Sequence, residues 1–248
     1  MTDESLEEKI IKSIYQGVKS LYPKSKCNIE KCENNNFSCC NNDAYLLTND
    51  VHEQSLSGAL YYYLNKSLSN KKIISRTNKR SLDMEYNKTF IIENDKINPK
   101  RISCNSNCFL KNKICDGKKY FRPDIILHQR GNNNENILII ECKKANDIED
   151  NDVQYDFEKL KAFTCENGNF KYKIGVSIVF NNKHPILTYF INKTKLSINL
   201  TNRIIDLLKT QNNDSFKIKI YKNEIEQINT SILNYICDIN EIEHISED

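Results

Sequence analysis

The stretch KKYFRPDIILHQRGNNNENILIIECKK, residues 118–144, decides how the chain folds. Two apolar runs, Tyr120–His128 and Asn136–Lys143, flank Arg130-Gly-Asn-Asn-Asn-Glu135, a Gly/Asn-rich segment of the kind that closes strand pairs. The stretch therefore predicts a β-hairpin. A turn centred between Asn132 and Asn133 sets Asp124 opposite Glu141. Side chains alternate along a strand, so Glu141 and Lys143 share a face, separated by roughly 6–7 Å of strand rise. Three polar heads, Asp124, Glu141 and Lys143, are thus expected to converge.

On a half-exposed hairpin these would be ordinary solvated charges. Ile125, Ile126, Leu127, Ile137, Leu138, Ile139, Ile140 and Cys142, however, make both faces of the hairpin apolar, which predicts a sheet covered on both sides. Two carboxylates facing each other there repel, and a divalent cation between them removes the repulsion.

Pro123-Asp124, followed after a hairpin by Glu141-Cys142-Lys143, resembles the signature of the PD-(D/E)xK, or restriction-endonuclease-like, nuclease superfamily. The surrounding order of strand, turn, strand, helix and further strands is similar to that superfamily's core. The resemblance covers residues 50–192. It implies an α/β fold with a restriction-endonuclease-like core, a central mixed β-sheet flanked by helices. It also implies Mg²⁺- or Mn²⁺-dependent hydrolysis of phosphodiester bonds, with Asp124 and Glu141 as metal ligands and Lys143 stabilising the nucleophile and the transition state.

Upstream, Leu6, Ile10, Ile11, Ile14, Tyr15, Val18, Leu21 and Tyr22 recur at a helical period. Residues 23–49, rich in Asn and Cys, show no sustained period and read as a loop or a metal-held knuckle. A second helix is expected to start at Asp50 as N-cap and to run through Leu56, Ala59, Leu60, Tyr63 and Leu64. Glu53 has two readings. In a capping box it reaches back to the Asp50 backbone. Alternatively, it lies on the first turn of the buried stripe, and the resemblance implies a further metal ligand at such a helix start. Residues 82–92 read as the first core strand, with Glu85 and Asn87 on one face, and residues 93–118 as a Cys-containing insertion. After the hairpin, Asp152–Glu166 predicts a helix with Lys159 and Lys161 available for phosphate contacts. Lys171–Phe180 and Pro185–Asn192 predict strands, and residues 193–248 a helix–strand–helix extension over 200–209, 216–221 and 222–236.

Charge and cysteines add partners to this frame. The net charge is +3, but residues 1–50 carry 6 basic and 8 acidic side chains, 51–130 carry 16 and 7, and 131–248 carry 14 and 18. The basic middle suits a nucleic acid, DNA above all, held through Lys71, Lys72, Arg76, Lys79, Arg80, Lys118, Lys119 and Arg122. No apolar run approaches the ~20 residues of a membrane span, and the acidic start Met-Thr-Asp-Glu is unlike a secretory signal, so a cytoplasmic protein is expected. Ten cysteines without such a signal point to thiols or metal ligands rather than disulfides. Cys27, Cys32, Cys39 and Cys40 with Cys104, Cys108 and Cys115 are candidates for a structural Zn²⁺ site, while Cys142 and Cys165 fit small buried thiols. Two rivals to the nuclease remain at this point. One is a nucleic-acid-binding or scaffold protein on the same fold; the other is a zinc-held interaction module.

Overall fold

The computed structural model describes residues 4–22, 45–48, 51–75, 77–84, 88–93, 96–99, 121–130, 132–145, 150–165, 170–181, 184–192, 195–211 and 216–221. The cysteine clusters, Glu85, Arg76, Lys118, Lys119 and the expected final helix over 222–236 lie outside these residues.

Helix α1 (Leu6–Leu21) opens with a full capping box: the Glu8 N–H donates to Ser5 Oγ at 3.2 Å and the Ser5 N–H to Glu8 Oε2 at 2.8 Å. Its stripe of Ile10, Ile11, Ile14, Val18 and Leu21 is buried against Leu56, Leu60, Leu64 and Leu68 of helix α3 (Glu53–Asn70), which follows a short helix α2 (Tyr45–Thr48). A Cβ at Gly17 would meet Leu60 Cδ1 at 3.4 Å and the Leu64 backbone at 3.6 Å, ordinary contact distances that mark where the two helices pack against each other.

The expected single strand over 82–92 is two elements in two sheets. Strand β1 (Arg80–Met84) joins the main sheet, whereas β2 (Lys88–Glu93) pairs with β3 (Lys96–Pro99) in a separate two-stranded sheet. The apolar pattern runs through this region, but the chain leaves the main sheet after Met84. Strands β4 (Ile125–Gln129), β5 (Asn132–Lys144), β6 (Ile174–Phe180), β7 (Ile186–Ile191) and β8 (Lys217–Tyr221) complete a six-stranded mixed sheet in the order β1-β4-β5-β6-β7-β8. The expected C-terminal extension thus supplies the sheet's last strand.

Pairs β5/β6 and β7/β8 are parallel, each joined by a crossover helix, α4 (Asp150–Thr164) and α5 (Ile198–Gln211). Between them β6 and β7 run antiparallel, so the strand direction reverses while the sheet grows the same way. Right-handed crossovers then place α4 and α5 on opposite faces. The two apolar clusters agree: Ile204 and Leu208 of α5 share one with α1 and α3, whereas Phe157, Leu160 and Phe163 of α4 pack on Ile126, Ile139, Val179 and Phe190 in the other. Each of these large apolar side chains contributes roughly 1.5–3 kcal/mol on burial. The β4–β5 hairpin is covered on both sides, as its composition predicts. Gly175 seats α4: a Cβ there would stand 3.0 Å from Thr164 Cγ2 and 3.3 Å from Phe190 Cβ. Among the described residues, no helix is long and apolar enough to cross a membrane.

Candidate active site

Two local facts of the hairpin place the expected polar group. Ile125 pairs with Ile140, Ile126 with Ile139 and Leu127 with Leu138, and this register continued by one residue sets Asp124 opposite Glu141. The turn itself is not centred between Asn132 and Asn133, since Gln129 pairs with Asn132. Register shifts on either side of His128 absorb the extra residues of β5 and restore the expected pairing before the site is reached. Ile126 and Ile139 pack under α4, and side chains alternate, so Glu141 and Lys143 face α4.

Asp124 lies at the mouth of β4, where its Oδ2 accepts the Cys142 backbone N–H at 2.7 Å. Burial raises its carboxyl to about 6 against that hydrogen bond, and the nearby Glu53 charge pushes the same way. Glu141 is 3% exposed, and burial raises it well above the carboxylate range; Lys159 opposes this, while Asp156 and Asp124 add to it. Its Oε1 is buried without a hydrogen-bond partner. The Cys142 thiol points to the other face, among the α3 side chains, and burial raises it too.

The α3 N-terminus removes the capping-box reading of Glu53. The N-cap is His52, whose Nδ1 accepts the Gln54 N–H at 3.3 Å, rather than Asp50. Glu53 is then the first helical residue and not the third, so it has no place in a capping box. Its Oε1 accepts from Lys143 Nζ at 3.2 Å instead. Lys143 also stands 3.6 Å from Asp156 Oδ2. Burial works against the Lys143 charge, but Asp156 and Glu53 outweigh it and hold the ammonium at about 12.

Asp156 and Lys159, both from α4, join the group without having been singled out as site residues in the sequence. Lys159 Nζ lies 2.9 Å from Glu141 Oε2 and 2.9 Å from Asp156 Oδ1, and only 8% of the residue is exposed. It is not available for a phosphate, contrary to the sequence expectation. Burial disfavours its charge, yet Glu141 and Asp156 raise its proton affinity above that of a free lysine. Lys161, the other expected phosphate contact, pairs with Glu158 and lies over the Tyr221 ring. The signal for Asp156 was present: it stands four residues before Leu160 and seven before Phe163, on the helix stripe that is otherwise apolar.

Among the described residues, most of the expected phosphate surface is not gathered at this site. Lys71 Nζ donates to Ser13 Oγ at 2.9 Å and to the Lys9 carbonyl at 3.3 Å, tying α3 to α1. Lys72 and Lys79 adopt positive φ of 56° and 55°, and Arg80 pairs with Gln129 beside the hairpin turn. These residues follow the far end of α3, whose 18 residues span roughly 27 Å from Glu53. Arg122 is exposed and lies two residues from Asp124.

Among the described residues, no group of three or more His, Cys, Asp or Glu side chains is arranged to hold a metal ion. The donors nevertheless fit Mg²⁺ in kind, because that ion is usually held by one or two carboxylates, with water and substrate phosphate completing its shell. Asp124 and Glu141 are such a pair, and the unpartnered Glu141 Oε1 is an acceptor still to be satisfied. Comparison with family models, with curated proteins and with solved structures found no match.

Proposed function

We propose that the chain is a metal-dependent nuclease of the PD-(D/E)xK kind, on a restriction-endonuclease-like core, hydrolysing phosphodiester bonds of DNA. The observation that carries this reading is the facing of Asp124 and Glu141 across β4 and β5, with Lys143 two residues on along the same face and Glu141 Oε1 left without a partner. Asp124 and Glu141 would hold Mg²⁺ or Mn²⁺. When bound, such an ion neutralises charge developing on the scissile phosphate.

The chain's own groups divide the remaining work. Lys143 is held charged by Asp156 and Glu53, so it is no general base at neutral pH; it stabilises negative charge on the nucleophile and in the transition state. Glu53 acts on Lys143 by fixing its ammonium, a different role from the metal ligand that the resemblance implies. The Cys142 N–H fixes the orientation of Asp124. The α4 helix covers this face of the sheet and keeps the carboxylates in a poorly solvated setting, where their affinity for a cation is raised.

A second reading, a nucleic-acid-binding protein without hydrolysis, draws on Lys159, which already neutralises Glu141. One experiment separates the two: incubation of the protein with plasmid and single-stranded substrates in Mg²⁺, Mn²⁺ or EDTA. Cleavage that needs the metal supports the nuclease. Retardation of the same substrates without cleavage in either metal supports the binding protein.

A further inference from the structure

The geometry points to Lys159 as a tethered cation that occupies Glu141 until a divalent ion displaces it, with Asp156 as the carboxylate that retains the displaced ammonium. The inference rests on the reading that Asp124 and Glu141 hold a divalent cation, and adds to it a means of controlling entry.

Four carboxylates, Glu53, Asp124, Glu141 and Asp156, meet two ammonium groups, Lys143 and Lys159. With all of them ionised the group carries a formal charge of −2, which one divalent cation cancels. The two lysines are not equivalent. The ion pairs of Lys143 are to Glu53 and Asp156 rather than to Asp124 or Glu141. Lys159 is bonded directly to a ligand oxygen, Glu141 Oε2, at 2.9 Å. A cation arriving at Glu141 therefore meets the Lys159 charge first.

Displacement is feasible only because of Asp156. A buried ammonium that loses its partner is strongly penalised. Lys159 already holds Asp156 Oδ1 at 2.9 Å, one helical turn away, so leaving Glu141 does not leave it unpaired. The Tyr155 ring, 5.5 Å from Nζ, offers a further weak contact. The helix that carries the pair is anchored by Phe157, Leu160 and Phe163, so the exchange needs a change of side-chain rotamer rather than a movement of α4.

The test is a Mn²⁺ titration followed by electron paramagnetic resonance, with the full chain and without any nucleic acid. Four proteins are compared with wild type: Lys159→Met, Lys143→Met, Asp156→Asn and the double variant Asp156→Asn with Lys159→Met. Melting curves of each confirm that it is folded. Removing a direct charged hydrogen bond to the ligand should tighten Mn²⁺ binding roughly tenfold in Lys159→Met. Lys143→Met, which removes the same charge without touching Glu141, should tighten it much less. Asp156→Asn should weaken binding in the wild-type background and lose that effect when Lys159 is Met. Equal tightening by the two lysine variants, or no tightening by Lys159→Met, overturns the gate while leaving the metal site intact. If Lys159→Met does not fold, Asp156→Asn decides: unchanged or tighter Mn²⁺ binding overturns the inference. Absence of Mn²⁺ binding in every protein removes the gate together with the metal reading on which it rests.

Discussion

The α4 side of the sheet carries two buried acidic groups within a few residues of each other, and they are opposites. Asp83 on β1 pairs in register with Ile126, and Asp124 stands two residues before Ile126, just ahead of β4 and roughly 7 Å along the chain. Asp83 is fully served: His128 Nε2 lies 2.8 Å from its Oδ2, Arg130 Nε donates to the same oxygen at 3.0 Å, and Arg130 Nη2 donates to Oδ1. Burial alone would raise its carboxyl, but the bonds to His128 and Arg130 outweigh that and hold it well below the usual range. Asp124 and Glu141 have backbone and lysine partners that do not offset their burial, so both are raised. The same residue type in the same layer is thus closed into the scaffold at one point and, on the proposed reading, left to hold a cation at the other. Partners and depth of burial together separate the lowered carboxylate from the raised ones.

The sharpest way to break this comparison is Glu141→Gln. If Glu141 holds the metal, cleavage of plasmid with Mg²⁺ falls by roughly a thousandfold or more, because a cation loses one of two anionic ligands. The fold survives, since Lys159 keeps Asp156. Measurable turnover at near wild-type rate in this variant would sink the mechanism. The matching change in the other group, Asp83→Ala, should act the other way. It leaves a buried His128 and its Arg130 neighbour without their carboxylate and costs about 3 kcal/mol or more of unfolding free energy in a denaturant titration. Mn²⁺ affinity of the folded fraction should stay within about twofold, because Ile126 and Ile139 separate this group from the site.

Opposite shifts also predict opposite pH responses. Asp83 is lowered in the folded protein, so its contribution is present above the unfolded carboxylate value near 3.9 and is lost as pH falls through that value toward the lower folded one. Asp124 is raised to about 6, so the folded protein binds more protons than the unfolded chain between about pH 4 and 6. Metal-free protein therefore loses that part of its stability as pH rises through 6. Asp124→Asn, which keeps an acceptor for the Cys142 N–H, should be more stable than wild type above pH 6 by on the order of 2 kcal/mol, and should lose this advantage near pH 4. Melting temperatures of the two proteins across pH 4–8 measure it, and parallel curves would show that Asp124 is not perturbed.

How much of this was legible in the sequence follows from the range of each signal. Strand alternation and a Gly/Asn turn are local, so Asp124, Glu141 and Lys143 could be brought together from residues 118–144 alone, even with the turn placed two residues too late. Glu53 was ambiguous because a carboxylate three residues after an N-cap at Asp50 serves a capping box and a site equally well, and only the fold shows that the helix starts at His52 instead. Lys159 and Asp156 were passed over as site residues because charged residues in a helix default to solvent. Their burial depends on α4 lying flat on the sheet, which Gly175 permits from a distant strand. The Asp83–His128 pair needs the β1/β4 register, and nothing in either strand alone specifies that. The zinc expectation concerns cysteines outside the described residues.

Arg130→Met carries the smallest effect and sharpens the comparison most finely. Its side chain is 64% exposed, whereas His128 is buried, although both bond Asp83. An exposed ion pair contributes only about 0.2–1 kcal/mol and is screened by salt. Asp83 keeps its His128 hydrogen bond when Arg130 is gone, so the carboxylate is not stranded. The expected loss is therefore about 0.5 kcal/mol at low ionic strength, shrinking toward zero near 1 M salt. A denaturant titration of Arg130→Met at both salt concentrations reads it directly. A loss as large as that of Asp83→Ala, and insensitive to salt, would mean that the guanidinium rather than the imidazole holds this carboxylate closed.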